Sequence, residues 1–139
     1  MSERKLSQED IQLMNFLERA TGAAASDVLT EGDSVIFIVA KGQLGRAIGK
    51  GGANIQNLRR AMQGKEVEIV EEAADVKELL TRALSPAMIK GMEQNDKGEV
   101  LVSVEPKSKG LAIGKGGERI KKARLLAKRL FGVAEVRIL

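Results

Sequence analysis

Hydrophobic positions in the first half of the chain change period several times, and each change marks an element. Behind Ser7, Ile11, Met14 and Leu17 recur at the spacing of one helix face, with Ser7 and Asp10 as a capping pair and Gly22 as a stop. Val28-Leu29, the polar group Thr30-Glu31-Gly32-Asp33 and Val35–Val39 read as strand, turn and strand. Gln43–Ile48 makes a short helix, Gly49-Lys50-Gly51-Gly52 interrupts it, and Ala53–Met62 makes another with Ile55, Leu58 and Met62 inward. After Gly64, the alternation of Val67 and Ile69 predicts a closing strand. The order is α-β-β-α-α-β.

The second half repeats it. Asp75–Leu84 carries Val76, Leu79, Leu80 and Ala83 on one helical stripe and stops at Ser85-Pro86. Met88–Gln94 and Glu99–Glu105 flank the hairpin signal Asn95-Asp96-Lys97-Gly98. Lys107–Ile113, a second Gly-Lys-Gly-Gly, Glu118–Leu130 and Val133–Leu139 complete the unit.

A shift of 65 residues aligns Gly45–Gly52 with Gly110–Gly117, and only Arg46 against Leu111 differs. The same shift pairs Val35 with Val100, Phe37 with Val102, Val39 with Val104, Ile55 with Ile120, and Asp10-Ile11 with Asp75-Val76. One register through most of both halves predicts a duplication. The expected fold is α+β, with domains at 1–72 and 73–139, each a three-stranded sheet covered on one face by helices. Between them, Val70-Glu71-Glu72-Ala73-Ala74-Asp75 holds no Gly-, Pro- or Ser-rich linker, so a rigid pair is expected.

Composition narrows the function. Hydrophobic residues make up 43% of the 139, enough for a packed core. No apolar run approaches the roughly 18 residues of a membrane span, and the start leads into an amphipathic segment, so a soluble cytoplasmic protein is expected. Cysteine and histidine are absent, which removes thiolate catalysis, the usual general base and the commonest metal ligand. No enzyme activity, catalytic residue, metal or cofactor is therefore expected. Net charge is only +4, but Lys and Arg cluster behind each glycine motif, at Arg46–Arg60 and Lys115–Arg129. A local basic face suggests a polyanion ligand. The acids gather in Glu66–Asp75, where a solvated charge run is the simpler reading than paired catalytic carboxylates.

Between two helices, Gly-Lys-Gly-Gly breaks the first and starts the second, because glycine reaches positive φ freely. A tight turn needs one glycine, so three of four suggest that something approaches the backbone closely. Exposed amides at the second helix's start form an anion site, and Lys50 and Lys115 add full charges there. Two nucleotide grips fail on the letters. A Walker loop wants Gly where Leu44 and Lys109 stand and Ser or Thr where Gly51 and Gly116 stand. A dinucleotide fingerprint wants its last glycine where Asn54 and Arg119 stand, and a strand before the loop.

What remains is the Gly-x-x-Gly clamp between two helices, which holds the backbone of four nucleotides in KH domains. Gly49–Gly52 and Gly114–Gly117, each preceded by Ile, resemble it closely. With only Phe16, Phe37 and Phe131 as aromatics, the chain lacks a base-stacking platform. Aliphatic side chains would seat bases instead, and Ile48, Ile55, Ile113 and Ile120 are candidates, with core packing the competing role, above all at 55 and 120.

The helix-first order resembles the type II, prokaryotic KH domain, and the tandem pair resembles the NusA-like transcription factors. Arg82-Ala83-Leu84-Ser85-Pro86-Ala87 and Leu111-Ala112-Ile113-Gly114-Lys115-Gly116-Gly117 are similar to stretches of that family. With little chain ahead of the first helix, it looks like the short archaeal form, without the N-terminal and S1 domains of bacterial members. The resemblance implies single-stranded RNA binding in transcription termination or antitermination, RNA polymerase or the elongation complex as a partner, and a monomer. The RNA contacts expected in the first domain are Arg46, Ile48, Gly49, Lys50, Gly51, Gly52, Asn54 and Arg59. In the second they are Ile113, Gly114, Lys115, Gly116, Gly117, Arg119 and Lys122. The alternatives are a KH protein of ribosome biogenesis or rRNA processing, a phosphate-handling enzyme using the lysine loops, and a protein-interaction module with basic helices.

Overall fold

Ser7 starts the first helix, α1 (Gln8–Thr21), in the computed structural model, which describes residues 5–139. Its hydroxyl accepts from the Asp10 N–H at 3.0 Å, and the Asp10 carboxylate accepts from the Ser7 N–H at 3.1 Å. Gly22 ends the helix in the left-handed region, φ +77°. Leu13, Met14, Phe16 and Leu17 turn toward the core, but Ile11 is 47% exposed. The expected Ile11-Met14-Leu17 face fails because steps of three fall short of a full turn. Six residues at about 100° each leave Ile11 roughly 120° around the helix from Leu17.

The first unit, residues 5–72, continues through β1 (Ala25–Glu31), β2 (Ser34–Val39), α2 (Leu44–Ile48), α3 (Ala53–Ala61) and β3 (Glu66–Glu71). β1 runs through Thr30 and Glu31, leaving a tighter turn, Gly32-Asp33, than the polar letters suggest. β1 and β2 pair antiparallel, whereas β2 and β3 pair parallel. Parallel neighbours need a crossover, and α2 and α3 supply it, which places Gly49–Gly52 within that crossover. The core joins Leu17, Val28, Val35, Phe37, Val39, Leu58 and Val67. Ile36 and Ile38, which alternate to the opposite face of β2, are also buried.

The second unit, residues 73–139, runs α4 (Val76–Ala83), β4 (Ile89–Gln94), β5 (Glu99–Val104), α5 (Lys109–Ile113), α6 (Glu118–Phe131) and β6 (Glu135–Ile138). Its sheet order β4-β5-β6 has the same antiparallel and parallel pairings. Val100, Val102 and Val104 alternate inward from β5, and Leu80, Leu84, Ala123, Leu126 and Val136 are buried with them. Asp75 caps α4, accepting from the Glu78 N–H at 2.8 Å, whereas its aligned partner Asp10 is already the third residue of α1. α4 therefore starts about one turn later than α1 in the shared register. No helix among the described residues is long and apolar enough to cross a membrane.

Candidate nucleic-acid interface

The two glycine loops have the same backbone. Gly49 sits at φ +80°, ψ 168°, Gly51 at +63°, 18° and Gly52 at +78°, 15°. Their counterparts Gly114, Gly116 and Gly117 sit at +81°, 171°, at +65°, 16° and at +77°, 10°. All three glycines are therefore required by the turn, since side chains rarely adopt any of these conformations. The sequence argument that one glycine would suffice needs correcting on this point. Within the repeated eight residues, the glycines that the backbone leaves unexplained are Gly45 and Gly110. Both are helical and exposed, and a Cβ added to either would meet nothing within 4 Å. The eight-residue repeat already contained them.

The first loop glycine also lies against the helix that follows. A Cβ on Gly49 would stand 2.7 Å from Asn54 Cγ and 2.8 Å from the Asn54 N, and one on Gly114 would stand 2.7 Å from Arg119 Cβ. At that close approach residues 54 and 119 latch the loop. Asn54 Nδ2 donates to the Arg46 carbonyl at 2.7 Å, and Arg119 Nη1 donates to the Leu111 carbonyl. An amide and a guanidinium thus do the same work in the two copies. Arg59 is tied to β3, its Nε donating to the Val67 carbonyl at 3.3 Å, and Arg46 Nη1 reaches the Gly22 carbonyl at 3.5 Å. Lys122 is half-buried and engaged within the chain.

Lys50 and Lys115 differ from these. Each is exposed at the tip of its loop, and its side chain makes no hydrogen bond or ion pair with a described residue. Around each lysine the backbone closes on itself: the Gly49 N–H donates to the Gly45 carbonyl at 2.8 Å and the Gly52 N–H to the Gly49 carbonyl at 3.0 Å. The amides of Lys50 and Gly51 take no part in these turn bonds. α3 and α6 then begin on Gly52 and Gly117 with no side chain capping them. First-turn amides without a side-chain cap carry part of the helix macrodipole's positive end, and with a lysine ammonium two or three residues away they make each loop suited to an anion.

Of the four candidate isoleucines, Ile120 is core, Ile48 and Ile55 are half-buried, and Ile113 is 42% exposed. Leu111, which the sequence reading did not select, is 45% exposed on the same short helix. Its signal was available as the single mismatch of the repeat. The acids do not assemble a site: Asp75 caps α4, Glu71 accepts from the Gly42 N–H at 3.1 Å, and no metal-holding carboxylate group occurs among the described residues.

Residues 76–136 match the family model described as NusA-like second KH domain, and residues 11–74 match the KH domain model. Over 136 residues the chain is 35% identical to the probable transcription termination protein NusA of Halobacterium salinarum, spanning 96% of this chain and 97% of that protein. The chain belongs to the NusA family. Its likeness to the probable transcription termination protein NusA of Methanococcus vannielii is 31% over 137 residues, spanning 96% of this chain and 79% of that one. Among solved structures, the crystal structure of APE1850 superposes with a TM-score of 0.87 at 34% identity, covering 96% of this chain and all of that one. The α+β architecture is accordingly that of two tandem type II KH domains, as in NusA-like proteins.

Proposed function

We propose that this chain is a single-stranded RNA-binding protein of transcription termination or antitermination, which grips the RNA backbone at residues 49–52 and 114–117. The observation that carries the reading is the loop itself. The same three-glycine turn is built twice, each copy with an uncommitted lysine and an uncapped helix start. KH loops of this form hold about four nucleotides each. Aliphatic residues beside the second loop, Leu111 and Ile113, offer an apolar surface where aromatics are scarce. The transcriptional role is supported by the relatives, which are named probable transcription termination protein NusA. RNA polymerase or the elongation complex is the proposed protein partner, and a cytoplasmic monomer the proposed working form.

The test replaces Lys50 and Gly51 with Asp, and Lys115 and Gly116 with Asp, in one chain. Carboxylates then stand where phosphates approach, and a Cβ at Gly51 or Gly116 meets no neighbour, so the change costs each loop only the left-handed strain of about 1–2 kcal/mol. Fluorescence anisotropy with random single-stranded RNA, single-stranded DNA and duplex reads the binding, and circular dichroism reads the fold. The expected result is a folded protein that has lost single-stranded RNA. Undiminished binding would reduce both loops to plain turns, and a parent that binds duplex alone would overturn the clamp.

A further inference from the structure

One glycine of the repeated octapeptide serves neither the turn nor the packing. Gly45 and Gly110 lie in α2 and α5, outside the positive-φ region, exposed, and with open space where a Cβ would stand. Glycine is a poor helix former, so alanine at either place would favour the helix. Both copies nevertheless have it. Between residues 43–62 and 108–127, positions exposed in both copies have otherwise drifted, as in Arg46 against Leu111, Ala53 against Glu118 and Gln56 against Lys121. Outside the loops one other exposed letter is shared, Arg59 with Arg124, and each of those donates its Nε to a strand carbonyl, at 3.3 and 3.0 Å. The glycine has no such task within the chain.

Its place shows what a missing side chain would admit. The Gly49 N–H donates to the Gly45 carbonyl at 2.8 Å and the Gly114 N–H to the Gly110 carbonyl at 2.9 Å, so each glycine sits one helical turn before its loop. At about 100° per residue it lies nearly opposite Ala47 or Ala112, both wholly buried, and therefore on the solvent crest of its helix. On α5 the exposed Leu111 and Ile113 fall about 100° to one side of Gly110 and about 60° to the other. A crest stripped to backbone between two aliphatic side chains is a shallow trough that leads to the loop. On α2 the matching walls are the alkyl stem of Arg46 and the half-buried Ile48. Such a trough offers C–H groups, which suit the flat face of a ring better than a phosphate. We propose that Gly45 and Gly110 are base seats, where the face of a nucleobase rests on the bare α-carbon one turn ahead of the clamp that holds its strand's phosphates. A side chain there would lift the base away. The proposal rests on the RNA-binding reading above.

Gly45→Ala, Gly110→Ala and the double change test it in the full-length chain. Thermal melts should rise by about 2–4 °C for each single change. Fluorescence anisotropy with a random single-stranded RNA dodecamer should show affinity falling about fivefold for each, the lower end of what one stacked base contributes. Stability gained with binding lost is the expected signature, since damage to the fold would lower both. A dodecamer of abasic sugar-phosphate reads the base: the parent should hold it more weakly than RNA, and the alanine changes should leave its affinity as it was. Undiminished RNA affinity in the double variant, or a lowered melt, would overturn the proposal by showing these glycines to be neutral or structural. An equal loss on the abasic strand would overturn the assignment to a base. Each of those results leaves the clamp standing. The clamp fails separately, if replacing Lys50, Gly51, Lys115 and Gly116 with Asp leaves RNA binding undiminished.

Discussion

Three glycines within seven residues should respond to alanine in three different ways. At Gly49 the backbone is at φ +80°, ψ 168°, and the new Cβ would sit 2.7–2.9 Å from Asn54 atoms that include its backbone N. Strain in that region costs about 1–3 kcal/mol. Because a backbone atom cannot swing aside as a side-chain end can, the clash adds to it, giving about 2–4 kcal/mol in all. At Gly51 the left-handed φ of +63° remains but the space is open, so the cost is about 1–2 kcal/mol. At Gly45 neither penalty applies, and alanine's better helix propensity should stabilise by roughly 0.5–1 kcal/mol. For a chain of this size about 4 °C accompanies each kcal/mol, so thermal melts should fall by about 8–16 °C for Gly49→Ala and about 4–8 °C for Gly51→Ala, and rise by about 2–4 °C for Gly45→Ala. Melting of the 114, 116 and 110 counterparts should reproduce the order. If Gly49→Ala melts no lower than Gly51→Ala, or Gly45→Ala lowers the melt, the assignment of these glycines to sterics, handedness and neither is wrong.

Ser7→Ala removes one half of the reciprocal cap on α1 and should cost about 1 kcal/mol in denaturant titration, with no change in RNA affinity. The Glu99 carboxyl is held below its usual value, first by the hydrogen bond from the Asn95 side chain and then by Arg137, whose Nη2 lies 3.3 Å away. Because the folded value is the lower one, its contribution to stability is present at neutral pH and is lost as pH falls through that value. Glu99→Gln should therefore be less stable than the parent at neutral pH, with the gap closing on acidification below about pH 4, as followed by urea melts across pH. RNA affinity should rise steeply between tetranucleotides and strands of about eight to twelve, when one strand can occupy both clamps, and a length series measures it. A flat series would mean that the clamps act singly.

Caps and turns were legible because their signals are local. Ser7, Asp10, Gly22 and the Asn95–Gly98 turn act within four residues of themselves, and their letters suffice. Ile11 misled because its spacing to Met14 and Leu17 looks periodic over six residues while the helix rotates past it. Thr30 and Glu31 looked like turn residues, yet an edge strand accepts polar side chains wherever one side faces water. The loop's charge and its glycines could be read directly, and so could the duplication. The latch could not: Asn54 and Arg119 look like ligand contacts beside a basic loop, and only the folded turn brings each to a carbonyl eight residues earlier. Exposure was legible in part: core packing was the stronger reading at 55 and 120, and Ile120 is buried while Ile113 is exposed, but Ile55 is only half-buried.

The crossover that carries each loop also limits how a duplicated binder can diverge. Shortening it would break the parallel pairing of β2 with β3 or of β5 with β6, and exchanging a loop glycine would strain the turn, so the grip itself is costly to change. The first turns of α3 and α6 carry no such obligation beyond one latch residue each. Change between the copies has accumulated there, and at positions 46 and 111, while the loop letters stayed identical. A fold that fixes its grip and leaves the neighbouring positions open can keep two hands and train them for different tasks.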